Sequence, residues 1–92
     1  MISIVAKFKV NEGEEEKFLS LVDGLGAASR AETGCIEYAL HKHTENPRTY
    51  CILEKWRDQN SVDTHNASKH FTTIVPQIIE ISQPEIDIFQ PL

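Results

Sequence analysis

Between Glu54 and Phe71 the chain carries a carboxylate, an indole and two imidazoles at what reads as a strand-to-helix junction. Glu54 and Trp56, two residues apart on a strand, share one face of a sheet. Asp58 then caps a helix that brings His65 back over that face about two turns later. A carboxylate on the helix-facing side of a sheet must be hydrogen-bonded, paired or held protonated, and His65 is the expected partner of Glu54. A carboxylate-oriented imidazole suits proton transfer near neutral pH, which makes His65 and Glu54 the candidate catalytic residues. The same pair also reads as a structural tie between helix and sheet.

Trp56 and Tyr38 are expected to line a cavity beside this pair, with Phe8, Leu21 and Phe71 closing it, although aromatic residues at such positions also serve simply as core. His70 lies five residues beyond His65, well round an ideal helix, and joins the substrate-contacting set if Ser68 and Lys69 break the helix and turn it inward. Glu54, His65, His70 and His41 are conceivable as a facial metal set. Their spacing matches no standard ligand pattern and His41 falls on the opposite sheet face, so no metal is expected. Neither a Gly-rich phosphate loop nor a nucleophile elbow is visible, and no cofactor is expected.

Positioning these groups requires strands and helices in a definite order. Ile2, Ile4, Ala6, Phe8 and Val10 alternate with Ser3, Val5, Lys7 and Lys9, the period-two signal of a strand with one apolar face. Glu14 to Glu16 suit the start of a helix, along which Phe18, Leu19, Leu21, Val22, Leu25 and Ala28 recur at helical spacing until Thr33-Gly34 ends it. Gly24 and Gly26 weaken this helix, and close packing on the sheet is the expected reason. Cys35 to His43 and Thr49 to Trp56 read as a hairpin around Pro47, with Ile36, Tyr38 and Leu40 on one face of its first strand. Closure about Glu45 to Pro47 pairs His43 with Thr49 and Tyr38 with Glu54. Cys35 and Cys51 then lie at opposite ends of the hairpin, roughly 20 Å apart at ~3.3 Å per residue, too far to bridge. After the Asp58 helix, Pro76 is expected to open a short further helix over Gln77 to Ser82, followed by a last strand over Glu85 to Phe89.

The order strand, helix, strand, strand, helix, strand predicts an α+β, ferredoxin-like split βαβ domain over residues 1–92, with a four-stranded antiparallel sheet and helices on one face only. The other face would expose Val5, Ala39, Cys51 and Leu53, which predicts a homodimer packed sheet to sheet. With 92 residues, 40% of them hydrophobic and 25% charged, the chain is ordinary globular material for one modest core. The net charge of −5 disfavours nucleic-acid and anionic-membrane partners. The absence of a long apolar run or a leader points to the cytoplasm, with both thiols reduced. A small molecule and a second copy are the expected partners.

Gly34-Cys-Ile-Glu-Tyr38, Glu54-Lys-Trp56, Asp58, His65, Ser68 and His70-Phe71 together resemble the antibiotic biosynthesis monooxygenase (ABM) family, small dimeric α/β-barrel proteins that include the quinol monooxygenases. The resemblance spans nearly the whole chain. It implies a homodimer with a site between the sheet and the helices of each subunit, where a quinol-like or polyphenolic substrate is oxidised by dioxygen without metal or flavin. His65 assisted by Glu54 would remove a phenolic proton, and Trp56 and Tyr38 would hold the ring. The haem-degrading branch of the superfamily places an asparagine, a tryptophan and an axial histidine where this chain has Ala6, His65 and Val75, against haem. The run from Asp58 to His70 is also similar to isomerases of a phosphorylated sugar-derived signal, which would need cations such as Lys42, Arg48 or Lys69. A non-catalytic dimeric binding module is the third alternative, because one scaffold hosts several chemistries.

Overall fold

The computed structural model describes all 92 residues. The elements run β1 (Ile2–Val10), α1 (Glu15–Arg30), β2 (Cys35–Lys42), β3 (Thr49–Trp56), α2 (Gln59–Asn66), α3 (Lys69–Glu80) and β4 (Ser82–Phe89). The four strands form one antiparallel sheet in the order β2-β3-β1-β4, the ferredoxin-like α+β arrangement.

Strand parity decides which residues meet the helices. Ile4, Ala6, Phe8 and Val10 of β1 and Tyr50, Ile52, Glu54 and Trp56 of β3 are buried on one face. Phe18, Val22 and Leu25 of α1, Val62 of α2 and Ile78 of α3 complete the core against them. Trp56 is wholly enclosed, and truncating an aromatic residue in such a place costs about 3–5 kcal/mol. Leu19, expected on the inner stripe of α1, is exposed instead.

The hairpin closes in the expected register. Tyr38 faces Glu54, and the His43 N–H donates to the Thr49 carbonyl at 2.9 Å. Cys35 and Cys51 are both free and stand opposite Trp56 and His41 respectively. One irregularity lies between Cys35 and Glu37, where the register shifts. This bulge turns Ile36 outward to 58% exposure, so it does not share the inner face with Tyr38. Cys35 packs against the core in its place.

Helical boundaries differ more. α1 stops at Arg30, so Ala31 to Gly34 form a connection, within which Gly34 cannot be replaced without collision: a Cβ there would strike the Ser61 side chain. Gly24 and Gly26 do not pack on the sheet as expected. A Cβ at Gly24 would meet nothing within 4 Å, and one at Gly26 only the Arg30 guanidinium. Asp58 caps α2 through a 2.8 Å bond accepted from the Ser61 N–H. Ser68 caps a separate α3, which continues through Pro76 instead of beginning there. β4 begins at Ser82, and Pro84 is tolerated because the strand is an edge.

On the face away from the helices, Val5, Leu53 and Ala39 stand side by side across three strands, each partly exposed. No helix is long and apolar enough to cross a membrane.

Candidate functional site

A cavity of about 210 Å³ opens between the sheet and the helices. Ile4, Ala6, Phe8, Ile52, Ile86 and Ile88 form its sheet wall, and Leu25, Val62, Phe71, Val75 and Ile78 its helix wall. Its polar groups are Tyr38, Glu54, His65 and Asn66; no lysine or arginine lines it. Drug-sized sites run to roughly 300–1,000 Å³, so this volume suits a compact ligand of one or two rings. Ile86 and Ile88 are 52% and 62% exposed and form its rim. A larger cleft of about 560 Å³ lies where Lys7, Lys9, the hairpin turn and the start of β4 meet. That cleft is lined by polar and charged groups and holds no buried titratable side chain, so the smaller one is the candidate site.

Glu54 sits in the sheet wall because the parity of β3 points it inward. Its Oε1 accepts a 2.9 Å hydrogen bond from the Trp56 indole N–H, the neighbour two residues along the same face. Burial pushes its carboxyl up to about 7, against the lowering effect of the indole bond, and the charge of Glu32 adds to the rise. Burial, together with the nearby Glu54, also pushes the Tyr38 phenol well above its usual range, so it keeps its proton.

His65 meets the cavity from α2, but its partner is not the expected one. Its Nδ1–H donates to Glu32 Oε2 at 2.6 Å, and no hydrogen bond joins it to Glu54. His70 Nε2 donates to the same Glu32 oxygen at 2.9 Å. An ionised carboxylate only accepts, so the proton on this bond belongs to His65 Nδ1 and Nε2 carries the free lone pair. No protein group bonds Nε2. Burial lowers the His65 imidazole below its ordinary value, opposed by the bond to and charge of Glu32 and assisted by His70. The ring lies against Trp56 with centroids 4.3 Å apart and meets Tyr38 and Phe71 edge-on at 5.8 and 5.1 Å.

Of the six residues singled out from sequence, Tyr38, Glu54, His65 and Phe71 line the cavity. Trp56 does not: it is fully buried behind His65 and Glu54, where it supports both. His70 does not either, because the break at Ala67 and Ser68 turns it onto Glu32 instead of into the cavity. Leu21, expected to close the cavity, is absent from its walls, whereas Phe8 takes part. His41 is exposed on β2 and far from this cluster in the sheet register. Glu32 is the residue that sequence reasoning missed; it follows the end of α1 and meets partners 33 and 38 residues away.

Glu32, His65 and His70 bring three donor atoms within 4.8 Å of one another. Ligands at ~2.0–2.1 Å around a tetrahedral ion lie about 3.3 Å apart, whereas the two nitrogen-to-oxygen separations here are 2.6 and 2.9 Å. The spacing is that of shared protons.

The fold recurs in known proteins. YcnE of Bacillus subtilis, which bears the description of a candidate monooxygenase, is 34% identical over 88 residues, 96% of this chain and 93% of its own length. A crystal structure of a conserved Methanosarcina mazei protein superposes with a TM-score of 0.95 at 34% identity, covering 99% of this chain and 92% of that one. Rv0793 of Mycobacterium tuberculosis shares the fold at a TM-score of 0.93 and 22% identity, over 99% of this chain and 94% of its own. The sequence profile of antibiotic biosynthesis monooxygenases matches residues 1–77, across the first three strands, the helix-end cluster and most of α3, and the chain belongs to that family.

Proposed function

We propose that the protein is a cofactor-independent monooxygenase of a small quinol or comparable electron-rich aromatic compound. The observation that carries this reading is an apolar cavity into which two polar groups of opposite character converge: a neutral imidazole with a free Nε2, and a carboxyl that burial favours in its protonated form. In such a site a ring hydroxyl gives its proton to His65 Nε2, and the electron-rich phenolate passes an electron to dioxygen. The substrate supplies all four electrons that dioxygen takes up: one oxygen atom enters the product, and the other leaves as water with the two hydrogens the substrate lost. Glu54, protonated, donates a hydrogen bond to an oxygen on the far side of the ring. Tyr38 and Phe71 hold the ring edge.

The walls support a planar apolar guest over a phosphorylated one. An isomerase of a phosphorylated sugar would bring a dianion into a cavity without a lysine or arginine; Lys42, Arg48 and Lys69 are not among its walls. A purely binding role would leave the unbonded Nε2 and the proton-holding carboxyl without a task.

The same proposal includes a cytoplasmic homodimer, the two sheets packed on the Val5, Leu53 and Ala39 row as a dimeric α/β barrel. Its test is sedimentation equilibrium at micromolar concentration: a species of twice 10.4 kDa is expected, and a monomer overturns the dimer. For the reaction, oxygen uptake is measured with a panel of quinols and polyphenols. Uptake coupled to formation of a mono-oxygenated product is expected, and no uptake with any member of the panel removes the monooxygenase reading.

A further inference from the structure

Two imidazoles and one carboxylate oxygen meet at the helix end of the cavity, and only one of the imidazoles reaches the cavity itself. We propose that Glu32 and His70 are the positioning residues of the site: Glu32 holds His65 in the tautomer whose Nε2 lone pair faces the substrate, and His70 braces the same Glu32 oxygen with a second hydrogen bond. This rests on the reading of His65 as the base, and deepens it by naming what keeps that base aimed.

The geometry assigns the division of labour. Glu32 Oε2 accepts from His65 Nδ1 at 2.6 Å and from His70 Nε2 at 2.9 Å. The Glu32 oxygen is thus shared between two N–H donors, and each limits the other's hold on it. The His65 side chain is 3% exposed, and burial disfavours a positive charge on its ring. His65 consequently stays a neutral donor through Nδ1, which leaves Nε2 as an acceptor toward the cavity. The groups facing His65 are Glu32 from the α1–β2 connection, His70 from α3, and Tyr38 and Glu54 from the sheet. Of these only Glu32 holds its ring by a hydrogen bond.

The backbone around the trio is built to keep the distances. The Gly34 carbonyl accepts from the Arg57 N–H at 2.9 Å, and the missing Cβ at Gly34 lets the Glu32 connection lie against Ser61 at the start of α2. The Ser68 hydroxyl donates to the His65 carbonyl at 2.7 Å and accepts from the Phe71 N–H at 3.2 Å, joining the end of α2 to the start of α3. Glu32, His65 and His70 are thus fixed from three separate elements.

The first test needs no substrate. Ring nitrogen-15 shifts of the wild-type protein are expected to show His65 protonated at Nδ1 and bare at Nε2 near neutral pH; the Nε2–H tautomer overturns the proposal. The second uses two variants and the pH profile of kcat/KM for whichever quinol is turned over. In Glu32→Gln the carboxylate that favours the imidazolium is gone, so the acidic limb moves to lower pH while kcat falls, by up to about 10⁴-fold as when a histidine base loses its orienting carboxylate. In His70→Gln the carboxylate serves His65 alone, so the acidic limb moves to higher pH. A structural role would lower activity in both without opposed limbs, and limbs that stay put or move together overturn the proposal. If the tautomer is as stated but no quinol is oxidised, the reaction assigned above fails and the positioning does not.

Discussion

Two carboxyl groups flank the site, Glu54 in the sheet wall of the cavity and Glu32 outside it at the helix end behind the His65 ring, and they are treated in opposite ways. At the sheet end Glu54 is 7% exposed and receives one hydrogen bond, from an indole that carries no charge. At the helix end one oxygen of Glu32 receives two imidazole bonds. Burial without a cation pushes Glu54 up to about 7, whereas two donors aimed at one oxygen are an environment for an anion. Identical functional groups are therefore given different environments by their neighbours alone, one favouring the neutral acid and the other a hydrogen-bond acceptor. His65 lies between them and takes its orientation from the helix end.

The largest expected effect comes from removing the group that both ends address. His65→Ala is expected to lower kcat by about 10²–10⁴-fold, the usual contribution of a positioned general base, with KM changed far less. Steady-state kinetics with the best quinol of the panel decides it. An unchanged kcat would mean that the helix end is a structural tie and that the contrast with Glu54 has no catalytic meaning.

A second effect is read in stability and isolates the sheet end. The Glu54 carboxyl is raised from 4.5 to about 7 on folding. Between those values the unfolded chain has released this proton while the folded one retains it, so stability falls as pH rises through that window, by up to about 3 kcal/mol at 1.36 kcal/mol per unit. Glu54→Gln replaces the protonated acid with a neutral amide that still accepts the indole bond. It is expected to match the wild type near pH 4 and to exceed it near pH 8 by up to that amount, measured by urea unfolding at both. His65 acts with the opposite sign, since its lowered value contributes stability above about 6.5 that is lost as pH falls. That contribution is common to both proteins and cancels in the difference. Equal differences at the two pH values would show that Glu54 is not held neutral.

These two ends were not equally legible in the sequence. Glu54 was, because β parity is strictly local: once Ile52 and Trp56 point inward, Glu54 must as well, and hairpin symmetry set it opposite Tyr38. The four-strand order and the helix-covered face followed from the same periodicity. Glu32 was not, because a charged residue in a connection after a helix ordinarily faces water, and its partners lie 33 and 38 residues on. The nearest signal was Gly34, whose missing side chain permits the close approach to Ser61 that brings the connection inward. Ile36 was misplaced because a bulge depends on the partner strand and leaves no period of its own. Pro76 suggested a new helix start, yet Ser68 had already provided one eight residues earlier through its cap, and Ile78 anchors the helix beyond the proline.

The smallest effect concerns the corner that separates the two imidazoles. Ser68→Ala removes both the cap on the Phe71 N–H and the bond to the His65 carbonyl. Loss of such a cap costs about 1 kcal/mol, and the penalty is local because the hydroxyl touches only the junction of α2 and α3. Denaturant unfolding should register that loss, while the Glu54 end, held by the sheet ladder, keeps its pH-dependent stability unchanged. The imidazole end should respond differently: a looser corner lets His70 drift from Glu32 without moving His65 along α2, so the acidic limb of the kcat/KM profile moves in the same direction as in His70→Gln, by less. A Ser68→Ala protein with reduced stability and an unmoved limb would confine the serine to capping, and would put the spacing of the two rings under the control of Gly34 and Ser61 instead.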